Sequence, residues 1–326
     1  MRTRNLVLLL LISAAAQSAV AQIYAAGEEG TFSIIGRDPA TNELGMAVQS
    51  HTIAVGTRTR GGKGGVAVFA HQASSDPLYS SIGVELLEAG MTPQQALDMM
   101  LKSDEGRDTR QVSILDIQGR TATWNGPATS DWKGSKCGVN YCAQGNTLAG
   151  PGVVAAMAKS FESSTGPLAE RLLDAIDAGE AEGGDKRGME SAALWVLKPL
   201  SVQGFGDREL DLRVDQSSNP FVELRRILNA VRSGEMVTQA NAKLTAKDLP
   251  GALQLATEAE VKSPTNDAAP ITLAIVHLQM GDKSKALADI RRAIALNANN
   301  KKQLQLNKNL EPLYSDPEFL NIVNTP

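Results

Sequence analysis

Apolar positions change their period along the chain, and the changes divide it into segments. Short runs with alternating apolar residues cover Thr31 to Gly36, Leu44 to Val48 and Val66 to Ala70, with turn residues Asp38-Pro39-Ala40-Thr41-Asn42 after the first. A period of two broken by turn chemistry predicts paired antiparallel strands. Ile82 to Ala89 and Pro93 to Lys102 then show helical spacing, parted by Gly90, and Thr92 ahead of Pro93 is an N-cap signal. Strand patterns return at Val112 to Ile117 and Thr121 to Trp124, around Gln118-Gly119-Arg120, and again at Tyr141 to Gln144. Pro151 to Phe161 and Pro167 to Asp177 are helical, Ala192 to Leu197 is a strand, and an amphipathic helix from Asn219 to Arg232 closes the segment before Ser233-Gly234 breaks it. Strands, helices, strands, helices, strands is the order of a two-sheet α+β core with helices on both outer faces, a four-layer αββα sandwich.

The remainder, 235–326, is helical and repeats itself. Asp248 and Asp282, Ala252 and Ala286, and Leu253 and Leu287 are each 34 positions apart. That period resembles the tetratricopeptide (TPR) repeat. The copy from Leu273 to Asn297 fits best, with Gly281-Asp282 at its turn, and Leu313, Phe319, Leu320 and Ile322 form a cap on the stack. The resemblance implies a protein partner in a concave groove; with two repeats, packing on the first domain or self-association serves equally.

Ahead of the strands, Met1-Arg2-Thr3-Arg4, an apolar run from Leu6 to Ala16 and Ser18-Ala19-Val20-Ala21 make a secretory signal over 1–21, cut after Ala21. The run is too short to span a bilayer, no Cys follows the cut, and no membrane anchor is expected. Residues 22–30 are then a lead or propeptide, and the mature protein is expected in the periplasm or secreted. Loss of Arg2 and Arg4 takes the net charge from −4 to −6, and loss of Glu28 and Glu29 returns it to −4. Neither value suits nucleic acid. Cys137 and Cys142 enter an oxidising compartment, where a hairpin at Gly138-Val139-Asn140 would join them; in one continuous strand they would point to opposite faces. With two Cys and three His, no metal site and no cofactor are expected.

Chemistry concentrates at Gly30-Thr31. A threonine hydroxyl needs a base, and a free α-amine on the same residue, with a reference pKa of roughly 7.7–8.0, can be that base. The reading therefore requires a cut between Gly30 and Thr31. Several stretches in a fixed order carry a family resemblance: Thr31-Phe32-Ser33-Ile34, Asp38-Pro39-Ala40-Thr41, Gly45-Met46-Ala47-Val48, Arg110-Gln111-Val112, Gln144-Gly145-Asn146 with Leu148, and Gly183-Gly184-Asp185 through Ser191-Ala192-Ala193-Leu194. As a set, running from about Thr31 to Leu228, they resemble the bacterial family of unknown function numbered ten-twenty-eight, which is grouped with the N-terminal nucleophile (Ntn) hydrolases. The resemblance implies the four-layer Ntn fold for 31–232 and amide hydrolysis as the chemistry, with no settled substrate. Family members often begin at or just after Met; here Thr31 lies behind the signal, so maturation needs a second cut.

Around the nucleophile, Ser50 is a candidate proton relay and His51 a pocket residue at the end of the second strand. Asn146 is the candidate oxyanion donor, with Gln144 beside it, and a backbone N–H near Gln72 is a rival donor. Ntn sites place a Lys or Arg near the nucleophile; Lys63 in Gly61-Gly62-Lys63-Gly64-Gly65 is the candidate, with Arg58 and Arg60 as rivals. That glycine stretch lacks the Walker spacing and reads as a flexible turn. Arg110, and the loop residues Asp185, Lys186 and Arg187, are candidates for binding a substrate carboxylate. A triad of Ser74, His71 and Asp76 is too close in sequence to converge well. The expectation is an exported amidohydrolase acting on a small amide or peptide. Its rivals are an envelope adaptor working through the helical region and a hydrolase using Ser50 with His51.

Overall fold

The computed structural model describes residues 30–199 and 206–325; the expected signal segment and all of the lead except Gly30 lie outside them. The chain divides into two units, Met1–Phe221 and Val222–Pro326.

In the first unit the strands are β1 (Thr31–Arg37), β2 (Leu44–Ser50), β3 (Arg60–Lys63), β4 (Ala67–Ala73), β5 (Arg110–Asp116), β6 (Thr121–Asn125), β7 (Gly134–Gly138), β8 (Tyr141–Asn146), β9 (Ser191–Leu197) and β10 (Arg208–Val214). The helices are α1 (Leu78–Glu88), α2 (Pro93–Ser103), α3 (Gly152–Ser163) and α4 (Leu168–Ala181). Two antiparallel sheets result, one in the order β10-β9-β2-β1-β8-β7 and the other β3-β4-β5-β6.

Alternation sorts each strand between two cores. Ile35, Met46 and Val48 of the first sheet meet Val68, Ala70 and Leu115 of the second in a buried cluster between the sheets. On the outer side of β1, Gly36 lies against Phe161 of α3 and Leu172 of α4, where a Cβ would meet ring and methyl carbons at 2.7–3.1 Å. On the outer side of the second sheet, Phe69, Val112 and Ile114 pack with Tyr79 of α1 and Leu97 and Met100 of α2. A helix pair thus covers each sheet. The start of α2 follows its sequence signal: Thr92 and Gln95 form a reciprocal capping box with Pro93 behind it.

Two local expectations are corrected, and one strand had no counterpart in the sequence reading. Gly61, Gly62 and Lys63 are not a flexible turn but part of β3, because Ser80 sits where a Gly61 Cβ would be and only glycine allows Gly62 its φ of 150° against Ala67. The strand expected over Val66 to Ala70 begins and ends later, as β4, and belongs to the second sheet rather than beside β1 and β2. Strand β10 escaped the sequence reading because charges alternate with Leu210, Leu212 and Val214 along a sheet edge. Cys137 and Cys142 face one another across the β7–β8 hairpin and are joined by a disulfide. Asn140 takes the left-handed conformation its turn needs, with φ 69°.

The second unit is helical. After α5 (Pro220–Thr245), which begins in the first unit, come α6 (Leu249–Lys262), α7 (Ala268–Gln279), α8 (Lys283–Leu296), α9 (Asn300–Leu306) and α10 (Pro317–Asn324). The expected break at Ser233-Gly234 is absent. Ser233 is buried, donates to Ala259 O at 2.6 Å and accepts from Asn266 Nδ2 at 2.7 Å, so tertiary bonds hold the helix through the glycine. Helices α6 and α8 begin 34 positions apart (283 − 249) and end 34 apart (296 − 262). Asp248 and Asp282 cap them alike, each accepting from a backbone N–H three residues on. Leu313, Phe319 and Ile322 join Ile275, Leu287 and Ile290 in one core, while Leu320 stays exposed.

Gly83 of α1 gives a direct test of the outer core, since a Cβ there would lie 2.4 Å from the buried Phe69 ring. Gly83→Val is expected to lose about 1–3 kcal/mol by overpacking, more than the small gain in helix propensity returns, as read from urea unfolding midpoints.

Candidate functional site

At one end of the interface between the sheets, each central strand exchanges apolar for polar residues on its inner face. Along β1 the inner residues run Ile35, Ser33, Thr31; along β5 they run Leu115, Ser113, Gln111; along β8, Cys142, Gln144, Asn146; and β4 ends in Gln72. All of these polar residues are buried. A buried amide without partners costs about 1–3 kcal/mol, and here each finds them. Ser33 Oγ donates to Gln72 Oε1 at 2.6 Å, and Gln72 Nε2 lies 2.8 Å from Thr31 O and 2.7 Å from Gln111 Oε1. Gln111 Oε1 also accepts from Asn146 Nδ2 at 2.9 Å, while Gln111 Nε2 donates to Asn125 Oδ1 and Gly145 O. Deeper in, Ser113 Oγ donates to Gln144 Oε1, whose amide donates to Ala70 O.

The register sets Thr31 between Ser50 of β2 and Asn146 of β8, directly opposite both. Thr31 Oγ1 lies 2.6 Å from Gly30 O and 3.1 Å from Ser50 Oγ. The same Gly30 carbonyl accepts from Ser50 Oγ at 2.5 Å and from Arg187 Nη2 at 2.7 Å. Arg187 is aimed by Asp185, whose fully buried carboxylate takes its Nε at 3.0 Å, its Nη2 at 2.7 Å and its backbone N–H at 3.0 Å. Asp185 is itself held by a bridge to Leu148 and reaches the His51 N–H. The Thr31 hydroxyl, the Ser50 hydroxyl and the Arg187 guanidinium therefore converge on one buried peptide bond. The arrangement can stabilise negative charge on that oxygen while Thr31 Oγ1 stands next to it.

Of the predicted residues, Thr31, Ser50, Asn146, Gln72, Asp185 and Arg187 come together here, although Arg187 was expected to bind a substrate carboxylate and instead holds Gly30 O. Asn146 turns its Nδ2 inward to Gln111, and Gly30 O is held by Arg187 and Ser50 instead. Gln72 acts through its side chain; the neighbouring backbone N–H groups of His71 and Ser74 are spent on Thr59 O and Thr109 O. Gln144 lies deeper in the interface, and His51 is exposed at the rim. Lys63 is not near Thr31. It pairs with Glu88 at 2.5 Å beside Ala67, five residues along β4 from Gln72, or roughly 17 Å at strand rise. The cation at the site is Arg187, which a loop brings in from far along the sequence. Arg60, a rival, is bound to Asp211 and lies over Trp195. Arg110 adjoins Gln111 in β5, but its guanidinium is bound elsewhere: it clamps Asp104, Asp76 and Ser74 O. Gln111, Ser33 and Ser113 were missed, although their spacing of two within apolar strands was the available signal.

His71 does not meet Ser74 and Asp76 in a triad. Its Nδ1 lies 2.8 Å from Ser75 Oγ on the outer side of β4, and burial lowers its pKa to about 4 despite the opposing effect of Asp76.

The fold and site thus define an α+β protein of two antiparallel sheets with a buried polar centre at the start of β1. The family of unknown function DUF1028 matches residues 31–224, and the chain belongs to that family. It is similar to the crystal structure of protein SPO2555 from Silicibacter pomeroyi, of the same family, with 30% identity, a TM-score of 0.56, and coverage of 61% of this chain and 84% of that one. No curated protein matches.

Two outcomes are expected. Gln111→Ala removes the acceptor of Asn146 Nδ2, the donor to Gly145 O and one of the two acceptors of Gln72 Nε2, and should cost at least about 2 kcal/mol in urea unfolding. Folded His71 binds its proton only at about pH 4, below the ordinary histidine value of 6.5. The unfolded chain takes up that proton first on acidification, so stability falls as pH drops from about 6.5 to 4. His71→Gln should flatten the unfolding midpoint across that window.

Proposed function

We propose that the first unit is an N-terminal-nucleophile amidohydrolase, with an Ntn-type four-layer fold, that works after cleavage of its own Gly30–Thr31 bond. The convergence of Thr31 Oγ1, Ser50 Oγ and Arg187 Nη2 on the Gly30 carbonyl carries this reading. Thr31 Oγ1 attacks the Gly30 carbonyl carbon, and Arg187 and Ser50 hold the oxygen as it becomes negative. The carbon–nitrogen bond breaks as the hydroxyl proton passes to the Thr31 nitrogen, leaving Gly30 as an ester on Oγ1. Water then releases Gly30 as a carboxylate and restores the hydroxyl. The exposed amine becomes the base for later substrates, and the same donors receive a substrate carbonyl. Ser50 touches both the hydroxyl and the carbonyl and is the proton relay. Asp185 is a positioning residue for Arg187.

Export through the 1–21 segment fits this reading, because the second cut then unmasks the amine. The helical region is read as TPR-like on its 34-residue offset and matched Asp caps. Its groove of about 380 Å³, lined by Asn241, Gln279, Gln303 and Asn307, offers amide donors and acceptors to a protein partner.

Intact mass and N-terminal sequence of the exported protein test the cut. Wild type is expected to start at Thr31 and Thr31→Ala at about Gln22. Arg187→Ala should slow self-cleavage by about 10²–10³-fold, the usual loss for one oxyanion donor. A wild-type chain that keeps Gly30 removes the amine base and the mechanism with it.

A further inference from the structure

We infer, resting on the nucleophile reading above, that the acyl side of the substrate bears no L side chain on its α-carbon: the site cleaves glycyl amides. The observation is the space around Gly30. A Cβ built on Gly30 in the L configuration would lie 2.5 Å from Asp185 Oδ2, 2.7 Å from Thr147 Cβ and 2.8 Å from Arg187 Nη2. Contacts below 3.0 Å require something to move, and none of these three neighbours is placed to yield.

Asp185 has a carboxylate with no exposed surface, tied to the Arg187 guanidinium, to the Arg187 backbone and to the His51 N–H. Thr147 is fixed by its backbone: its N–H donates to Ser130 O at 3.1 Å and its carbonyl accepts from Lys186 N at 3.1 Å, with φ at 59°. Arg187 Nη2 holds the carbonyl oxygen itself, so moving it aside removes the donor that the reaction needs. A side chain at this position therefore collides with the machinery that activates its own carbonyl.

This wall around Gly30 bears on substrates as well as on maturation because the covalent species coincide. Self-cleavage leaves the Gly30 acyl group esterified to Thr31 Oγ1. Attack of Thr31 Oγ1 on an amide R–CO–NH–R′ forms the same kind of ester, as the hydroxyl proton passes to the amide nitrogen and the primary amine of R′ departs. Water then cleaves the carbon–oxygen ester bond, giving R–COOH and the free hydroxyl. With R–CO equal to an N-acylglycyl group, the two esters have the same acyl carbon in the same pocket.

The test uses wild-type protein whose N-terminus at Thr31 has been verified. Acetylglycyl-, acetyl-L-alanyl- and acetyl-L-leucyl-7-amino-4-methylcoumarin are compared by kcat/KM. The glycyl amide is expected to exceed the alanyl amide by about 10–200-fold, the range for one methylene-sized misfit in a pocket, and the leucyl amide by more. As a second measurement, the Gly30→Ala precursor should self-cleave slower by a similar factor, with part of the rate restored in Gly30→Ala/Thr147→Gly. Alanyl or leucyl turnover within about threefold of glycyl overturns the glycyl assignment and leaves the nucleophile reading standing. Absence of turnover on all three by a chain that begins at Thr31 also overturns it. A wild-type chain that retains Gly30 overturns the nucleophile reading and this inference together.

Discussion

Buried amides must find hydrogen-bond partners, and in this protein that requirement organises the first unit. Gln72, Gln111, Gln144 and Asn146 sit between two sheets with almost no exposed surface. All four reach across the gap: Gln72 of β4 to Thr31 O of β1, Gln111 of β5 to Gly145 O of β8, Gln144 of β8 to Ala70 O of β4, and Asn146 of β8 to Gln111 Oε1 of β5. A slip of one residue in any strand would turn the carboxamides to the opposite face and leave their partners stranded. The network therefore locks the two sheets in register. It also delivers the first residue of β1 to a defined place between Ser50 and Asn146.

On that frame the charged part of the site is small. Asp185 is a buried carboxylate, which a low-dielectric surrounding penalises unless it is paired and hydrogen-bonded. Arg187 supplies the charge and much of the bonding, and the positive φ of Gly183 and Gly184 lets the loop turn beneath them. The guanidinium fork can serve two acceptors at once, so the arginine that neutralises Asp185 also reaches Gly30 O. Lysine, with a point charge, would not hold both geometries.

The helical unit follows a simpler rule. An aspartate that caps one helix recurs 34 residues later at the start of another, and small residues such as Ala252, Ala256, Ala286 and Ala293 are buried where the helices approach closely. Local signals decide most of this region because its contacts are between neighbours in sequence. The continuity of α5 through Ser233-Gly234 is the exception. There the burial of Ser233 against Ala259 O and Asn266, made by residues far along the chain, overrides a local helix breaker.

By itself the sequence determined the alternation of strands and helices, the cap at Thr92, the 34-residue offset between helices and the start of the first strand at Thr31. Each of these is written in short-range patterns, where periodicity and capping act. The tertiary structure decided which strands share a sheet, placing β4 opposite β1 rather than beside it. It decided that Arg187, and not Lys63, meets the Gly30 carbonyl. It also decided that Asn146 points into an amide network whose central member, Gln111, lies 35 residues away in sequence. These outcomes rest on packing two sheets face to face and satisfying the polar groups trapped between them. That condition couples residues without regard to their separation along the chain, and no local pattern encodes it.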